Sequence, residues 1–240
     1  SMAEQKTQTL PKNGGFTGRN VWIFDLDNTL YPADCNLFAQ VDRRMGTFIS
    51  EKLGVPYAQA RHLQKSYYKQ FGTTLSGLMQ IHKMKPTDFL DYVHDIDLSV
   101  VQEHPELAKA IERLPGRKLI FTNGSQGHGE RVAEKLGVLH LFEGICSIET
   151  CDYIPKPARE AFDKMVTRHN VIGSQAAMFE DMPHNLQAPH DMGMTTVLVH
   201  STYMDHPVQK AMAQWVEPPD HVHHMTNDLC HFLRTEARTD

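Results

Sequence analysis

From about residue 106 to its end, the chain alternates two hydrophobic periods. Helix-like stretches ("ELAKAIERLPG", residues 126–137, "AREAFDKMVTRHN", residues 185–192) take turns with short apolar runs ("RKLIFTNG", "GICSIE", "AAMFED", "MTTVLVH"). That alternation predicts a parallel sheet, because each parallel connection must cross a face of the sheet and the helix is what crosses it. The last stretch, "DHVHHMTNDLCHFLR", predicts a short edge strand and a final helix capped by Thr226 or Asn227.

A further strand precedes the series. Val21-Trp22-Ile23-Phe24 is an unbroken apolar run, and it ends in Asp25-Leu26-Asp27. Unpaired carboxylates do not sit inside a buried strand, so the pair marks the strand's end. Between this strand and the alternating part, residues 34–103 carry helical periodicity alone. Helices are expected over 36–53, closed by Gly54; from Pro56 to about Phe71; through "TLSGLMQIHK"; and from Pro86 through "PTDFLDYVHD". The expected fold class is α/β: a Rossmann-like, doubly wound parallel sheet with an inserted all-helical cap. The expected division is a flexible tail over 1–18, a core over 19–33 and 104–240, and a cap over 34–103.

Bulk properties narrow the function. With 240 residues the chain can bury one sizeable core, and its net charge of −5 leaves no basic surplus for a nucleic-acid polymer or an anionic membrane. No apolar run reaches membrane-spanning length, the N-terminal stretch has no secretory apolar segment, and the four cysteines form no C-x-x-C pair. A cytoplasmic setting is expected, and the composition does not specify an oligomeric state. A small anionic substrate could still bind, given local cations or a metal.

In an open α/β sheet, ligands bind at the C-terminal ends of the strands. Three such ends carry polar groups: Asp25 and Asp27, Thr122-Asn123-Gly124, and Glu180-Asp181. Lys156 lies between the last two, stiffened by Pro155 and Pro157. A D-x-D pair, an Asn-Gly turn or a Glu-Asp helix start is each common without chemistry, but here they occur together and in order. Clustered carboxylates need a cation, and hard oxygen ligands with open positions suit Mg²⁺. Asp25, Asp181 and the backbone carbonyl of Asp27 are the candidate ligands. Asp25 is the candidate nucleophile and Asp27 the acid and base. Lys156, Thr122 and Asn123 are the candidate holders of the phosphoryl oxygens.

The segments "FDLDNTLYP", "FTNGS", "IPKP" and "FEDMPHNL" resemble, in order, the four motifs of the haloacid dehalogenase superfamily of phosphohydrolases. The resemblance spans Val21 to about Leu233. It implies the same roles for Asp25, Asp27, Thr122, Lys156 and Asp181, with Glu180 as a nearby or water-mediated partner. Asp27 favours phosphoryl transfer, because the dehalogenases of the superfamily lack it. Many members carry an aspartate a few residues beyond the acidic pair, where this chain has Asn185, whose amide oxygen still accepts. The helical insert resembles a C1-type cap, and "FGTTLSGL", His82 and "PTDFL" resemble the pyrimidine 5′-nucleotidase branch. That implies a small phosphorylated metabolite as the partner, and hydrolysis of UMP or CMP. Thr73, Thr74 and His82 are the candidate hydrogen-bonding groups for the base, and Tyr68 or Phe71 the candidate stacking face, although their helical spacing fits cap packing equally well. Rival readings are a phosphatase for phosphoglycolate or pyridoxal phosphate, a phosphomutase, and a binding module on the same fold. Of the histidines, His128, His184 and His190 lie near the motifs, and the run at 221–224 is expected to be edge strand.

Overall fold

The computed structural model describes residues 14–201 and 207–240. Its sheet has six strands, all parallel: β1 (Val21–Phe24), β2 (Arg117–Phe121), β3 (Gly144–Cys146), β4 (Ala176–Glu180), β5 (Thr195–Val199) and β6 (His224–Thr226), in the order 3-2-1-4-5-6. The chain therefore leaves β1 towards one edge, through β2 and β3, and returns to its other side with β4. That reversal puts the C-terminal ends of β1, β2 and β4 side by side, with Val21–Phe24 registered on Arg117–Ile120 and on Ala176–Phe179. This is the switch point where open α/β sheets bind ligands.

Both faces of the sheet are covered, which explains why β1 reads as a continuous apolar run rather than an alternation. Trp22 and Phe24 point to one side, where they pack with Phe179 and Val197. The helices on that side are α5 (Pro105–Arg113), α6 (Gln126–Leu136) and α10 (Leu229–Thr235). Val21 and Ile23 point to the other side, with Leu119 and Phe121. There they meet α7 (Arg159–Arg168) and α8 (Gln187–Asp191) through Phe162, Met165 and Ala188.

The helical insert holds α1 (Leu37–Leu53), α2 (Tyr57–Phe71), α3 (Thr74–His82) and α4 (Pro86–Val93). It has its own apolar cluster around Phe48, Ile49, Leu78, Phe89 and Val93, into which Ile148 of the α/β block also packs. Gly54 closes α1 at φ 65°, a left-handed conformation that suits glycine.

Three expectations change. The tail is shorter than 1–18: Phe16 is buried, stacks on Trp22 and meets Phe232 edge-on, because the chain just before β1 covers the open side of the sheet. Residues 1–13 lie outside the described part. The last helix is capped by Asp228, which accepts from His231 N–H, while Thr226 still belongs to β6. The histidine run is mostly the approach to β6, which begins only at His224. His223 Nδ1 accepts from Thr196 N–H at 3.0 Å and His224 Nε2 donates to Gly14 O at 2.6 Å, so these rings latch neighbouring chain together. A short helix, α9 (Pro207–Met212), gave no signal in the sequence.

Candidate active site

Asp25 is the first residue beyond β1, held there by its N–H on Phe179 O of the neighbouring strand. Its Oδ1 accepts from Lys156 Nζ at 3.1 Å and its Oδ2 from Thr29 Oγ1 at 3.1 Å. Lys156 also donates to Glu180 Oε2 at 2.7 Å and to Phe121 O at 2.7 Å. Burial alone would push this ammonium down; Asp25 and Glu180 outweigh it, and its pKa lies above the usual lysine value. A buried lysine stays charged only with such partners.

Asp25, Glu180 and Asp181 each offer an oxygen within 4.8 Å of the others. Burial, with Asp25 as the nearby negative charge, raises the pKa of both Glu180 and Asp181. The group is therefore short of positive charge despite Lys156. Glu180 Oε1 and the Asn185 amide oxygen are also buried without a hydrogen-bond partner. An all-oxygen set with surplus negative charge and unsatisfied acceptors fits a small hard cation such as Mg²⁺. The side chain of Asp27 is outside this set; its backbone carbonyl is what the sequence nominated.

Asn123 does something other than expected. Its Oδ1 accepts from Lys156 N–H at 2.8 Å and its Nδ2 donates to Lys156 O at 3.1 Å. The side-chain amide thus clamps the lysine's own peptide, matching donor to acceptor, with one of its two N–H donors used. Thr122 Oγ1 accepts from Gly124 N–H at 2.9 Å, which leaves the hydroxyl proton free to donate.

Asp27 has its own surroundings. Tyr31 Oη donates to its Oδ1 at 2.6 Å and His128 Nε2 at 2.9 Å. Burial would raise this carboxyl; His128 and Tyr31 outweigh it and bring it down to about 2. His128 in turn stacks on His94, the residue that ends α4 of the insert. The sequence had noted His128 only by its proximity to a motif, and Tyr31 and His94 not at all. The signals available were local: Tyr31 stands four residues after Asp27, and His128 three after Ser125, the cap of α6.

The insert's nominated recognition groups are spent internally. Thr73 caps α3, Thr74 Oγ1 donates to Gln64 O at 3.1 Å, and His82 Nε2 pairs with Tyr67 Oη at 2.7 Å. Phe71 packs edge-on against Tyr67 inside the insert. Tyr68 differs: burial and then the fields of Asp181, Glu180 and Asp25 raise its phenol, and its ring meets that of His184 edge-on, with centroids 6.5 Å apart. Asp25, Lys156, Glu180 and Asp181 are thus brought together, while Thr74 is buried within the insert and His82 is half-buried there.

Comparison with known proteins agrees with this layout. The family model of haloacid dehalogenase-like hydrolases matches residues 20–193. Phosphate metabolism protein 8 of Saccharomyces cerevisiae is 28% identical over 198 residues, covering 75% of this chain and 61% of that protein. CbbY from Rhodobacter sphaeroides, solved in complex with phosphate, superposes with a TM-score of 0.60 at 14% identity over 89% of this chain and 96% of its own. The HAD-hydrolase YfnB from Bacillus subtilis, solved with magnesium, gives 0.57 at 14% identity over 90% and 97%. With a family model matching most of its length, the chain belongs to the haloacid dehalogenase-like hydrolases.

Proposed function

We propose that this chain is a magnesium-dependent phosphatase acting on pyrimidine nucleoside 5′-monophosphates such as UMP and CMP. The observation that carries the phosphatase reading is the buried Asp25–Glu180–Asp181 group at the adjoining ends of β1 and β4, balanced in part by Lys156. The pyrimidine preference rests on the resemblance of the insert's "FGTTLSGL" and "PTDFL" segments. In this reading residues 34–103 are the cap, and 19–33 with 104–240 the core.

Asp25 and Asp181, with the backbone carbonyl of Asp27, would hold the metal, and Glu180 and Asn185 lie beside them. A bound Mg²⁺ supplies charge neutralisation and polarises the phosphoryl group. The Asp25 carboxylate attacks phosphorus, and the bond to the nucleoside 5′ oxygen breaks. Asp27 passes a proton to that oxygen. Because Asp27 rests ionised, the proton enters with the monoanionic phosphate. Asp27 then takes a proton from the water that hydrolyses the aspartyl-phosphate; this regenerates Asp25, and the proton leaves with the released phosphate, which returns Asp27 to its ionised state. Thr122 donates to a phosphoryl oxygen, and Lys156 orients Asp25. Tyr68 is the insert residue placed to meet the rest of the substrate.

The test is phosphate release from UMP, CMP, dUMP, AMP, GMP, phosphoglycolate and pyridoxal phosphate, with Mg²⁺ and with EDTA. Mg²⁺-dependent release favouring UMP and CMP is expected. Release from a different phosphate would retain the chemistry and discard the pyrimidine preference; release undiminished by EDTA would discard the metal.

A further inference from the structure

Asp27 is the group whose orientation decides whether a proton reaches the leaving oxygen. Both donors to it, Tyr31 Oη and His128 Nε2, bond the same oxygen, Oδ1. Oδ2 receives neither and is the oxygen left to carry and deliver a proton. An ionised carboxylate only accepts, so His128 holds its proton on Nε2.

The ring of His128 is itself fixed. It is 1% exposed, its backbone N–H is bonded to Ser125 Oγ at 3.2 Å, and His94 lies flat on it, with centroids 4.0 Å apart and planes within 8°. His94 Nδ1 hydrogen-bonds the same Ser125 Oγ at 2.9 Å. Gly124 leaves room beside the stack: a Cβ there would sit 3.2 Å from Thr122 Oγ1 and 3.3 Å from His128 Cδ2, tighter than ordinary contact, and 3.5 Å from His94 Cε1. Burial keeps His94 uncharged, with its pKa brought down to about 3, so the ring stacks at neutral pH without adding a charge. His128 and Ser125 belong to the α/β block and His94 to the insert. The contact therefore joins the two at the side chain that aims Asp27.

We propose that His128 is a positioning residue that aims Asp27 at the leaving oxygen, and that His94 braces it from the insert, so that protonation of the leaving group depends on a seated insert. The proposal rests on the reading of Asp27 as acid and base.

Substituted phenyl phosphates separate the possibilities, since they share a shape and differ in how much the leaving group needs a proton. Phenol leaves poorly, with a pKa of about 10 like tyrosine; p-nitrophenol is far more acidic and leaves with little help. With the full chain and Mg²⁺, kcat/KM reports the first chemical step. His128→Phe keeps the buried ring and the stack and removes the donor. It should lower kcat/KM for phenyl phosphate about 100-fold and for p-nitrophenyl phosphate less than about 10-fold, the range of a lost acid. His128→Gln, which restores an N–H of similar reach, should recover most of the difference. His94→Ala should give the same selective pattern at about 10-fold for phenyl phosphate, with His94→Phe close to wild type.

Asp27→Asn, assayed in parallel, keeps the two failures apart. If Asp27→Asn shows no selectivity for the poor leaving group, the reading of Asp27 as the acid is wrong and the proposal falls with it. If Asp27→Asn is selective and His128→Phe lowers both substrates equally, or neither, only the positioning role is overturned. If His128→Phe is selective and His94→Ala is not, the brace from the insert is overturned.

Discussion

The catalytic end of the sheet and the helical insert use polar side chains in opposite ways. At the strand ends, among the described residues, carboxylates outnumber cations: Lys156 serves both Asp25 and Glu180, no ion pair reaches Asp181, and Glu180 Oε1 and Asn185 Oδ1 are buried without partners. In the insert, the polar groups are matched. Asp42 meets Arg61 and Gln64, Thr74 meets Gln64 O, and His82 meets Tyr67. Surplus charge together with unpaired acceptors is what a ligand site shows, and matched pairs are what packing within the chain shows. The two exceptions in the insert, Tyr68 and His94, are the residues whose rings or fields reach the other block.

The largest effect should come from the unbalanced side. Asp25→Asn is nearly isosteric and keeps one acceptor oxygen, for Lys156 or for Thr29, with an NH₂ donor in place of the other. It should reduce phosphate release by at least about 10⁴-fold, the scale seen when a nucleophile is removed, while the circular dichroism spectrum stays unchanged. Full activity would rule out covalent catalysis by Asp25.

Lys156→Met should combine lost activity with lost stability. The lysine is 2% exposed and stands between two carboxylates, so its removal leaves them buried and uncompensated. Breaking a buried pair in this way costs about 3–5 kcal/mol, read by denaturant unfolding. The cost should shrink in saturating Mg²⁺, which restores positive charge. A loss under about 1 kcal/mol, the scale of an exposed pair, would mean the lysine matters less than its burial indicates.

How far the sequence reached follows the same division. The strand ends were legible because their constraints are local: an apolar run cannot continue into Asp25, and Pro155 and Pro157 stiffen the loop around Lys156. Parallel alternation then required those ends to meet. The pairing of Asn123 with the Lys156 peptide was hidden, since an Asn-Gly turn looks alike whatever its amide holds. In the insert, helical spacing located α1 to α4, yet Tyr67, Tyr68 and Phe71 are neighbours in one helix, and only tertiary packing decides which faces outwards. Tyr67 went to the internal cluster and Tyr68 to the edge of His184, within the fields of the carboxylates. The His94–His128 stack joins residues 34 apart and leaves no local pattern.

The seam between the blocks should respond to acid through His94. Buried in the fold, it takes up a proton only near pH 3, against 6.5 for its ordinary value. Between those values the unfolded chain binds the proton and the native chain does not, so this contribution to stability rises with pH. It is complete above about 6.5 and is lost as pH falls towards 3. From pH 7 to pH 5 the loss is about 2 kcal/mol. Glu180 and Asp181, whose values are raised, act with the opposite sign near neutrality and would mask it. The difference between wild type and His94→Phe isolates it: the variant should gain relative stability as pH falls. A pH-independent difference would show that His94 is not buried as a neutral ring.

The smallest effects should fall within the insert and separate its two kinds of residue. Tyr68→Ala removes a ring whose phenol feels the fields of Asp181, Glu180 and Asp25 and which meets His184 edge-on. It should raise KM for the preferred nucleotide by about 10-fold, roughly the 1.4 kcal/mol that corresponds to such a ratio, and leave the melting temperature nearly unchanged. His82→Ala should do the reverse. Losing the bond to Tyr67 Oη costs about 1 kcal/mol of stability, with KM and the ranking of nucleotides unaltered. If His82→Ala instead reordered UMP, CMP and AMP, the balanced side of the insert would be a recognition surface, and a matched hydrogen bond there would no longer separate packing from binding.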